Sequence, residues 1–264
     1  MGILNNINRV KSDRLIKKGV LTTFIILIPA LLIAGIYLII NNIERPRDND
    51  TVFTINDEPV SKAEYLFIMS GLKANVFSYF VQKHDAKESK KFWTSEFRGE
   101  IPAELLAKKT VELLKRLKTE QILIKENGIT NNISFGGFLA DLETENERRR
   151  LAFAKNLPIY GPVQYEERVF YDYLHTERVE KLKRILSSGE LSVKEEEIII
   201  SYEKLKITEK ESVVNMNSGE LRNQIERELF DRKYEDMIRR MMDESLIDFR
   251  MKSPALNRLQ RTLF

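Results

Sequence analysis

Side chains that could perform catalysis are few in this chain. The 264-residue sequence contains two histidines, His84 and His175, and no cysteine. The lack of cysteine excludes a thiol nucleophile, a thiolate zinc site, an iron–sulfur cluster and a lipoprotein anchor. His84 lies in a stretch rich in lysine and acidic residues, so we predict that it is exposed to solvent. His175 lies in a helical pattern, so we predict that it is packed or hydrogen-bonded rather than catalytic.

Two runs of like charge remain as candidates for chemistry. Glu195–Glu197 precedes an apolar helical pattern, where carboxylates interact favourably with the helix dipole. Arg148–Arg150 is typical of a solvated helix end, and contact with a phosphate or an acidic lipid is the alternative. The sequence has no Gly-rich phosphate loop, no G-x-S-x-G elbow and no H-E-x-x-H. We therefore predict no catalytic residue, no cofactor and no metal ligand.

A third group of side chains is suited to binding. Aromatic rings provide rigid apolar contacts at protein interfaces, and methionines provide adaptable ones. Both kinds recur at helical spacing here, so packing in the core is the alternative role. The candidate residues for contacting a polypeptide client are Tyr160, Tyr165, Phe170, Tyr173, Met237 and Met241.

An N-terminal segment predicts a membrane anchor. Gly19–Ile40 contains 22 residues without a charge, and a helix of that length reaches roughly 33 Å, enough to cross a bilayer. Five Lys or Arg residues precede the segment and only Arg45 and Arg47 closely follow it. The positive-inside rule then places the N-terminus in the cytoplasm and the remainder outside. A cleaved signal peptide is the alternative, although its apolar region is normally shorter.

The anchor sets the predicted organisation of the chain. Residues 1–43 carry a net charge of +4, which leaves −1 for the rest because the whole chain has +3. The basic character is therefore a property of the tail and does not indicate nucleic-acid binding. The predicted regions are a cytoplasmic tail (1–18), a transmembrane anchor (19–41), a linker (42–50), a helical domain (51–251) and a C-terminal tail (252–264).

Hydrophobic spacing predicts a mainly α-helical domain with one short strand at each end. Glycine and proline number only 11 and 7, which favours helices over a sandwich or barrel. Capping boxes at Ser61 and Ser192 each predict a helix start, and Ser134 predicts a third. The six predicted helices span about 62–82, 102–127, 135–150, 165–186, 193–206 and 220–244. Strands at 52–55 and 247–251 are too short to stand alone, so we predict that they pair.

The order of these elements resembles the SurA and PrsA extracytoplasmic chaperone-foldases. Phe53–Ser61 (FTINDEPVS) resembles their opening strand, turn and helix start, with Asp57 in place of the usual glycine. Leu113–Ile129 is similar to their second helix. Leu191–Leu205 resembles the helix that precedes their parvulin isomerase domain, and Glu220–Phe249 resembles the helix and strand that follow it. The resemblance covers most of residues 52–251.

One departure from that family bears on catalysis. Only Ile207–Gly219 lies where the family has its complete parvulin domain, which thirteen residues cannot form. The resemblance therefore implies a membrane-anchored, extracytoplasmic chaperone-like protein that holds unfolded or translocated polypeptide without catalysis. Its partners would be those clients and the lipid bilayer, with no nucleic acid and no cofactor. The alternatives are an accessory subunit of a membrane or export complex and, against the missing domain, a peptidyl-prolyl isomerase.

Overall fold

A computed structural model of the chain describes residues 51–208 and 219–249. The predicted tail (1–18), anchor (19–41), linker (42–50) and C-terminal tail (252–264) lie outside these ranges. Within the described ranges, no helix is sufficiently long and apolar to cross a bilayer. The described residues belong to one unit of the chain, Asp48–Phe264.

Helices dominate this part of the chain, as the hydrophobic spacing predicts. The elements, in order, are β1 (Thr51–Ile55), β2 (Glu58–Ser61), α1 (Lys62–His84), a 3-10 turn (Phe92–Thr94), α2 (Pro102–Glu126), α3 (Phe135–Ala154), α4 (Glu167–Ser187), α5 (Glu195–Thr208), α6 (Gly219–Glu244) and β3 (Ile247–Phe249).

The two ends of the described chain meet in a small antiparallel sheet. β1 pairs with β3 through Phe53 opposite Phe249, which confirms the predicted pairing. The prediction of two strands is wrong, because β2 makes a third and the order is β2-β1-β3. Asn56 and Asp57 both adopt positive φ, 48° and 65°, and such a turn folds the chain directly back on itself. The short segment that returns, Glu58–Ser61, pairs with β1 despite having only one fully buried side chain.

Local capping explains where two of the helices begin. The Ser61 hydroxyl accepts a hydrogen bond from the Glu64 N–H at 3.1 Å, and Ser134 accepts one from Gly137 at 3.0 Å. Each bond satisfies a backbone donor that the first helical turn leaves free. Both predicted caps are confirmed.

The predicted cap of α5 is wrong. This helix begins at Glu195 rather than next to Ser192. The Glu197 carboxylate accepts a hydrogen bond from the Lys194 N–H at 2.9 Å, which is the reciprocal half of a capping box placed two residues later.

Apolar residues form a main core between the sheet and helices α1 to α4, and a second core where α2, α4 and α6 meet. Fully buried members of the main core are Phe53, Ile55, Val60 and Leu114. Fully buried members of the second are Leu182, Tyr234 and Ile238.

Candidate functional site

The two histidines occupy different environments. His175 lies 2.8 Å from Glu120, measured between His175 Nε2 and Glu120 Oε2, so the predicted hydrogen-bonded role is confirmed. The predicted exposure of His84 is wrong, because only 4% of its side chain is exposed. Helix α1 continues to His84 and stacks its ring on Phe80, one turn earlier, at 5.2 Å between centroids. Its Nε2 atom lies 2.7 Å from Glu100 Oε2.

The glutamate run at the start of α5 links two helices. Glu195 forms a bidentate ion pair with Arg222 at 2.6 Å, and Glu197 pairs with Lys233 at 2.7 Å. Arg222 and Lys233 both lie on α6. The hydrogen bonds from Arg222 lower the pKa of the Glu195 carboxyl. The backbone N–H of Lys194 and then the Lys233 ammonium lower the pKa of the Glu197 carboxyl. The glutamate run therefore forms a contact between α5 and α6. Within the described ranges, no group of three or more acidic or histidine side chains could hold a metal ion.

A buried ion pair joins α1 to α2. Glu64 and Lys118 lie 2.9 Å apart, and their side chains are 2% and 1% exposed. Burial raises the pKa of the Glu64 carboxyl, and the attraction of Lys118 opposes that rise. The second carboxylate oxygen of Glu64 has no hydrogen-bond partner, so no hydrogen bond offsets the desolvation cost of burying it.

Glu120 extends the buried polar network to α4 and α6. Its carboxylate contacts His175 on α4, Tyr234 on α6 at 3.3 Å and Arg116 on its own helix at 3.2 Å. A cavity of about 30 Å³, lined in part by Glu64 and His175, lies beside this network and has room for only about one or two water molecules. The network therefore has the geometry of a structural junction between helices rather than of a substrate site.

Arg149 braces the loop between α3 and α4, which spans residues 155–166 and is called the α3–α4 loop below. Its Nη1 donates hydrogen bonds to the carbonyls of Tyr160 and Pro162 at 2.8 and 2.7 Å. Its Nη2 donates to the Tyr165 hydroxyl at 3.1 Å, and its guanidinium lies over that ring at 4.3 Å. The predicted solvated helix end holds for Arg148 and Arg150 but is wrong for Arg149, whose side chain is 8% exposed.

Asn146 fixes the end of the same loop. Its side-chain amide donates to the carbonyl of Tyr165 at 3.0 Å and accepts from the Tyr165 N–H at 2.7 Å. The Asn146 amide thus bonds to both the N–H and the carbonyl of one residue, as a partner residue does in an antiparallel β-ladder. Together with the Arg149 contacts, it holds the loop in one conformation although most of its side chains face solvent.

An open groove of about 830 Å³ runs along α3 beside this loop, and we call it the α3 groove. Leu139 and Leu142 from α3 and Val163 from the loop supply apolar lining. Leu139 is 38% exposed and Val163 is 43% exposed, so both remain open to a ligand. Gln164 adds an amide donor and acceptor.

The structure brings together three of the four aromatic residues that the sequence suggested for client binding. The Tyr165 ring lies 5.3 Å from Phe170 and 5.9 Å from Tyr173, between centroids. Phe170 is only 4% exposed, whereas Tyr173 is 54% exposed. Tyr160 is 90% exposed, and its ring makes no contact with this stack among the described ring contacts; Arg149 bonds to its backbone carbonyl.

The two methionines lie elsewhere. Met237 is 6% exposed in the second core, and Met241 packs against the same core. Neither is a neighbour of the aromatic stack in the core clusters of the described residues. Their contribution to client binding stays a prediction that this packing does not favour.

Sequence reasoning missed most of the exposed apolar surface of this region. Eight of the fourteen large apolar side chains that are exposed in the described ranges fall within residues 139–173. The missed members are Leu139, Leu151, Phe153, Leu157, Val163 and Val169. The sequence did carry a signal of this exposed apolar surface. Residues 156–165 contain two prolines and a glycine and no charged residue.

Comparison of the chain with protein-family models, with curated proteins and with solved structures gave no match in any of the three searches. The resemblance to the SurA and PrsA chaperones therefore stays a prediction that rests on the quoted segments.

Proposed function

We propose that the chain is a membrane-anchored, extracytoplasmic protein that holds unfolded polypeptide in the α3 groove without catalysis. The observation that carries this proposal is the groove itself, with exposed apolar side chains beside a loop that is already ordered. A site ordered before binding loses less conformational entropy when a ligand arrives.

An extended polypeptide suits the chemistry of the groove. Leu139, Leu142 and Val163 can contact apolar side chains of a client, while the Gln164 amide can bond to its backbone. The stacked rings of Tyr165 and Tyr173 follow Gln164 along the chain and extend the apolar surface. Contacts of this kind select for apolar, unfolded segments rather than for one sequence.

The connection between α5 and α6 supports a role without prolyl isomerisation. Only residues 209–218 separate the two helices, and ten residues are too few to bury the core of an isomerase domain. The proposed mechanism is therefore reversible binding, with no covalent step.

A client-protection assay tests the proposal directly. Residues 48–264 are mixed with an enzyme that aggregates when heated, and light scattering is followed with and without Leu139→Asp or Val163→Asp. We expect either substitution to reduce protection, because a carboxylate disfavours apolar binding. Leu246→Asp is the matched control, since Leu246 is 77% exposed and lies outside the groove.

Three outcomes would contradict the proposal. Protection that is unaffected by both groove substitutions would exclude the α3 groove. A concentration-dependent acceleration of X-Pro isomerisation would favour the isomerase alternative. Failure to protect any unfolded client, together with stoichiometric capture of one membrane protein, would favour the accessory-subunit alternative.

The proposed topology has its own test. Protease added to intact cells without an outer barrier should digest the domain at 51–251. Protection in sealed cells that is lost on lysis would place the domain inside instead.

A further inference from the structure

We infer that the exposed tip of the α3–α4 loop inserts into the interface of a lipid bilayer; this rests on the membrane anchoring proposed above. The tip comprises residues 156–162, which carry no charge. All of its side chains except Ile159 are exposed. Leu157 is 54% exposed and Tyr160 is 90% exposed, so two large apolar side chains lie close together along an uncharged segment, and clustered exposed apolar groups mark interaction sites.

The tip is held rigid before any contact is made. Arg149 fixes the carbonyls of Tyr160 and Pro162, and Pro158 further restricts the backbone. Buried Arg149 thus directs most of its donors to a loop whose side chains face outward. A rigid apolar tip inserts with a smaller loss of conformational entropy than a flexible one.

The shape of the tip favours a bilayer over a client chain. A polypeptide is held best in a concave surface, which the neighbouring α3 groove provides. The tip is instead exposed along nearly its whole length and lines no part of that groove. Tyrosine prefers the boundary between acyl chains and headgroups, where its ring is buried and its hydroxyl stays hydrated.

The stretch that leads into the tip adds apolar surface and one unpaired cation. Phe153 is 61% exposed and Leu151 is 43% exposed. Lys155 is exposed and has no ion pair among the described contacts, whereas Arg148 and Arg150 are paired with Glu145 and Glu147. A lysine beside exposed apolar groups can keep its ammonium at the headgroups while those groups enter the interface.

The predicted tether limits the distance between the anchor and β1. Ten residues, 41–50, separate the apolar segment from β1. A chain of that length reaches no more than about 36 Å when fully extended. Insertion of the tip would give the domain a second point of attachment and thereby a preferred orientation at the bilayer.

Fluorescence of the full chain in vesicles tests this inference. Tyr160→Trp is made in a Trp93→Phe background, and Leu246→Trp in the same background is the control. Each chain is reconstituted in equal mixtures of phosphatidylcholine and phosphatidylglycerol, with or without bromine on the acyl chains. We expect bromine to quench the indole at position 160 and its emission to shift to shorter wavelength. The control at position 246 should do neither.

Further arms separate the contributions. Leu157→Asp added to the Tyr160→Trp chain should abolish the quenching, and phosphatidylcholine alone should weaken it because Lys155 loses its anionic partners. Thermal unfolding of each variant should match that of the parent, so that loss of quenching reports contact rather than misfolding.

Several results would overturn the inference. Equal emission in brominated and plain vesicles, with the chain still attached to them, would exclude insertion but leave the anchor intact. A chain that floats free of the vesicles would exclude both. An emission shift caused by an unfolded client and not by lipid would assign the tip to the client. Persistent quenching in a chain that fails the client-protection assay would instead support the inference and exclude only the holding function.

Discussion

The buried Glu64–Lys118 pair is the residue-scale feature with the largest energetic consequence. Neither side chain reaches solvent, so removing one partner strands the other in the core. Lys118→Met should lower the free energy of unfolding by about 3–5 kcal/mol. Glu64→Leu combined with Lys118→Met should restore most of the loss, because two apolar side chains need no compensating charge.

Urea unfolding of residues 48–264 measures both effects. The control is Lys115→Met on the same helix, which replaces a half-buried lysine that has no ion pair among the described contacts. Thr119 would not serve as a control, because it is buried. A double variant as unstable as Lys118→Met alone would contradict the account and indicate that the pair contributes net stability.

The same carboxyl predicts a dependence of stability on pH. Burial raises the pKa of Glu64 above the ordinary value of 4.5, so the folded chain binds its proton more tightly than the unfolded chain. The contribution is fully present below pH 4.5 and is lost as the pH rises through the folded pKa. Glu64→Gln should remove this component.

The decisive measurement is the difference between the parent and Glu64→Gln, since other carboxyls shift in the opposite direction. The Glu100 pKa, for example, is lowered to about 2 by hydrogen bonds from Lys83 and His84. The parent should lose stability relative to Glu64→Gln as the pH rises from 4.5 towards neutrality. A constant difference across that range would show that Lys118 keeps Glu64 ionised throughout.

Residue environments were predictable only where they depend on nearby sequence. The helical pattern around His175 indicated a packed position, and the structure agrees. His84 and Arg149 were misjudged because both sit in charged sequence, which usually indicates exposure. Their burial depends on Glu100 and on the Tyr160 and Pro162 carbonyls. Those partners come from chain segments that no local pattern connects to them.

At the scale of the element, Arg149 makes the α3–α4 loop an extension of α3. Arg149→Ala leaves the Tyr160 and Pro162 carbonyls without their donor and removes the ring contact with Tyr165. We expect a loss of about 2–4 kcal/mol, since hydrogen bonds to charged groups are the stronger ones. Amide hydrogen exchange should also accelerate in residues 156–165.

Arg150→Ala is the matched control for this change. Arg150 is exposed and pairs only with Glu147, three residues earlier, among the described contacts. It should leave the unfolding midpoint and the loop exchange rates unchanged. Equal effects of the two substitutions would mean that the loop is ordered by its own prolines rather than by Arg149.

Element starts were predicted well where a single cap decides them. Ser61 and Ser134 act within three residues, so their motifs are sufficient. Ser192 matched the same motif, yet its carbonyl accepts a hydrogen bond from Lys233 Nζ at 2.9 Å and the helix begins later. The β2 strand was missed for a similar reason, because its pairing with β1 rather than its own alternation stabilises it.

For the whole molecule, the sheet closes the fold by joining segments from the two ends of the domain. Asn56 reinforces this closure: its N–H donates to the Leu246 carbonyl at 3.0 Å, and its side-chain oxygen accepts from the Leu246 N–H at 2.9 Å. These partners lie 190 residues apart. The rarity of isolated strands predicted that the two ends pair, whereas no local periodicity could have revealed the contact between Asn56 and Leu246.

The two phenylalanines that face each other in the sheet test how much the closure stabilises the domain. Phe53 is fully buried and Phe249 is half-buried, with their rings 5.4 Å apart. Phe53→Ala should cost about 3–5 kcal/mol and Phe249→Ala about 2 kcal/mol, because less apolar area is lost from the half-buried position.

Truncation after Glu244 should exceed Phe249→Ala in cost, since it also removes the β3 ladder and exposes the inner face of β1. Thermal unfolding of residues 48–264 compares the three variants with Leu246→Ala, which removes an exposed side chain while its backbone contacts to Asn56 remain. If truncation and Phe249→Ala give the same unfolding midpoint as Leu246→Ala, the sheet forms without stabilising the helices. The pairing of the two ends would then be a result of helix packing and would contribute no stability to the helices.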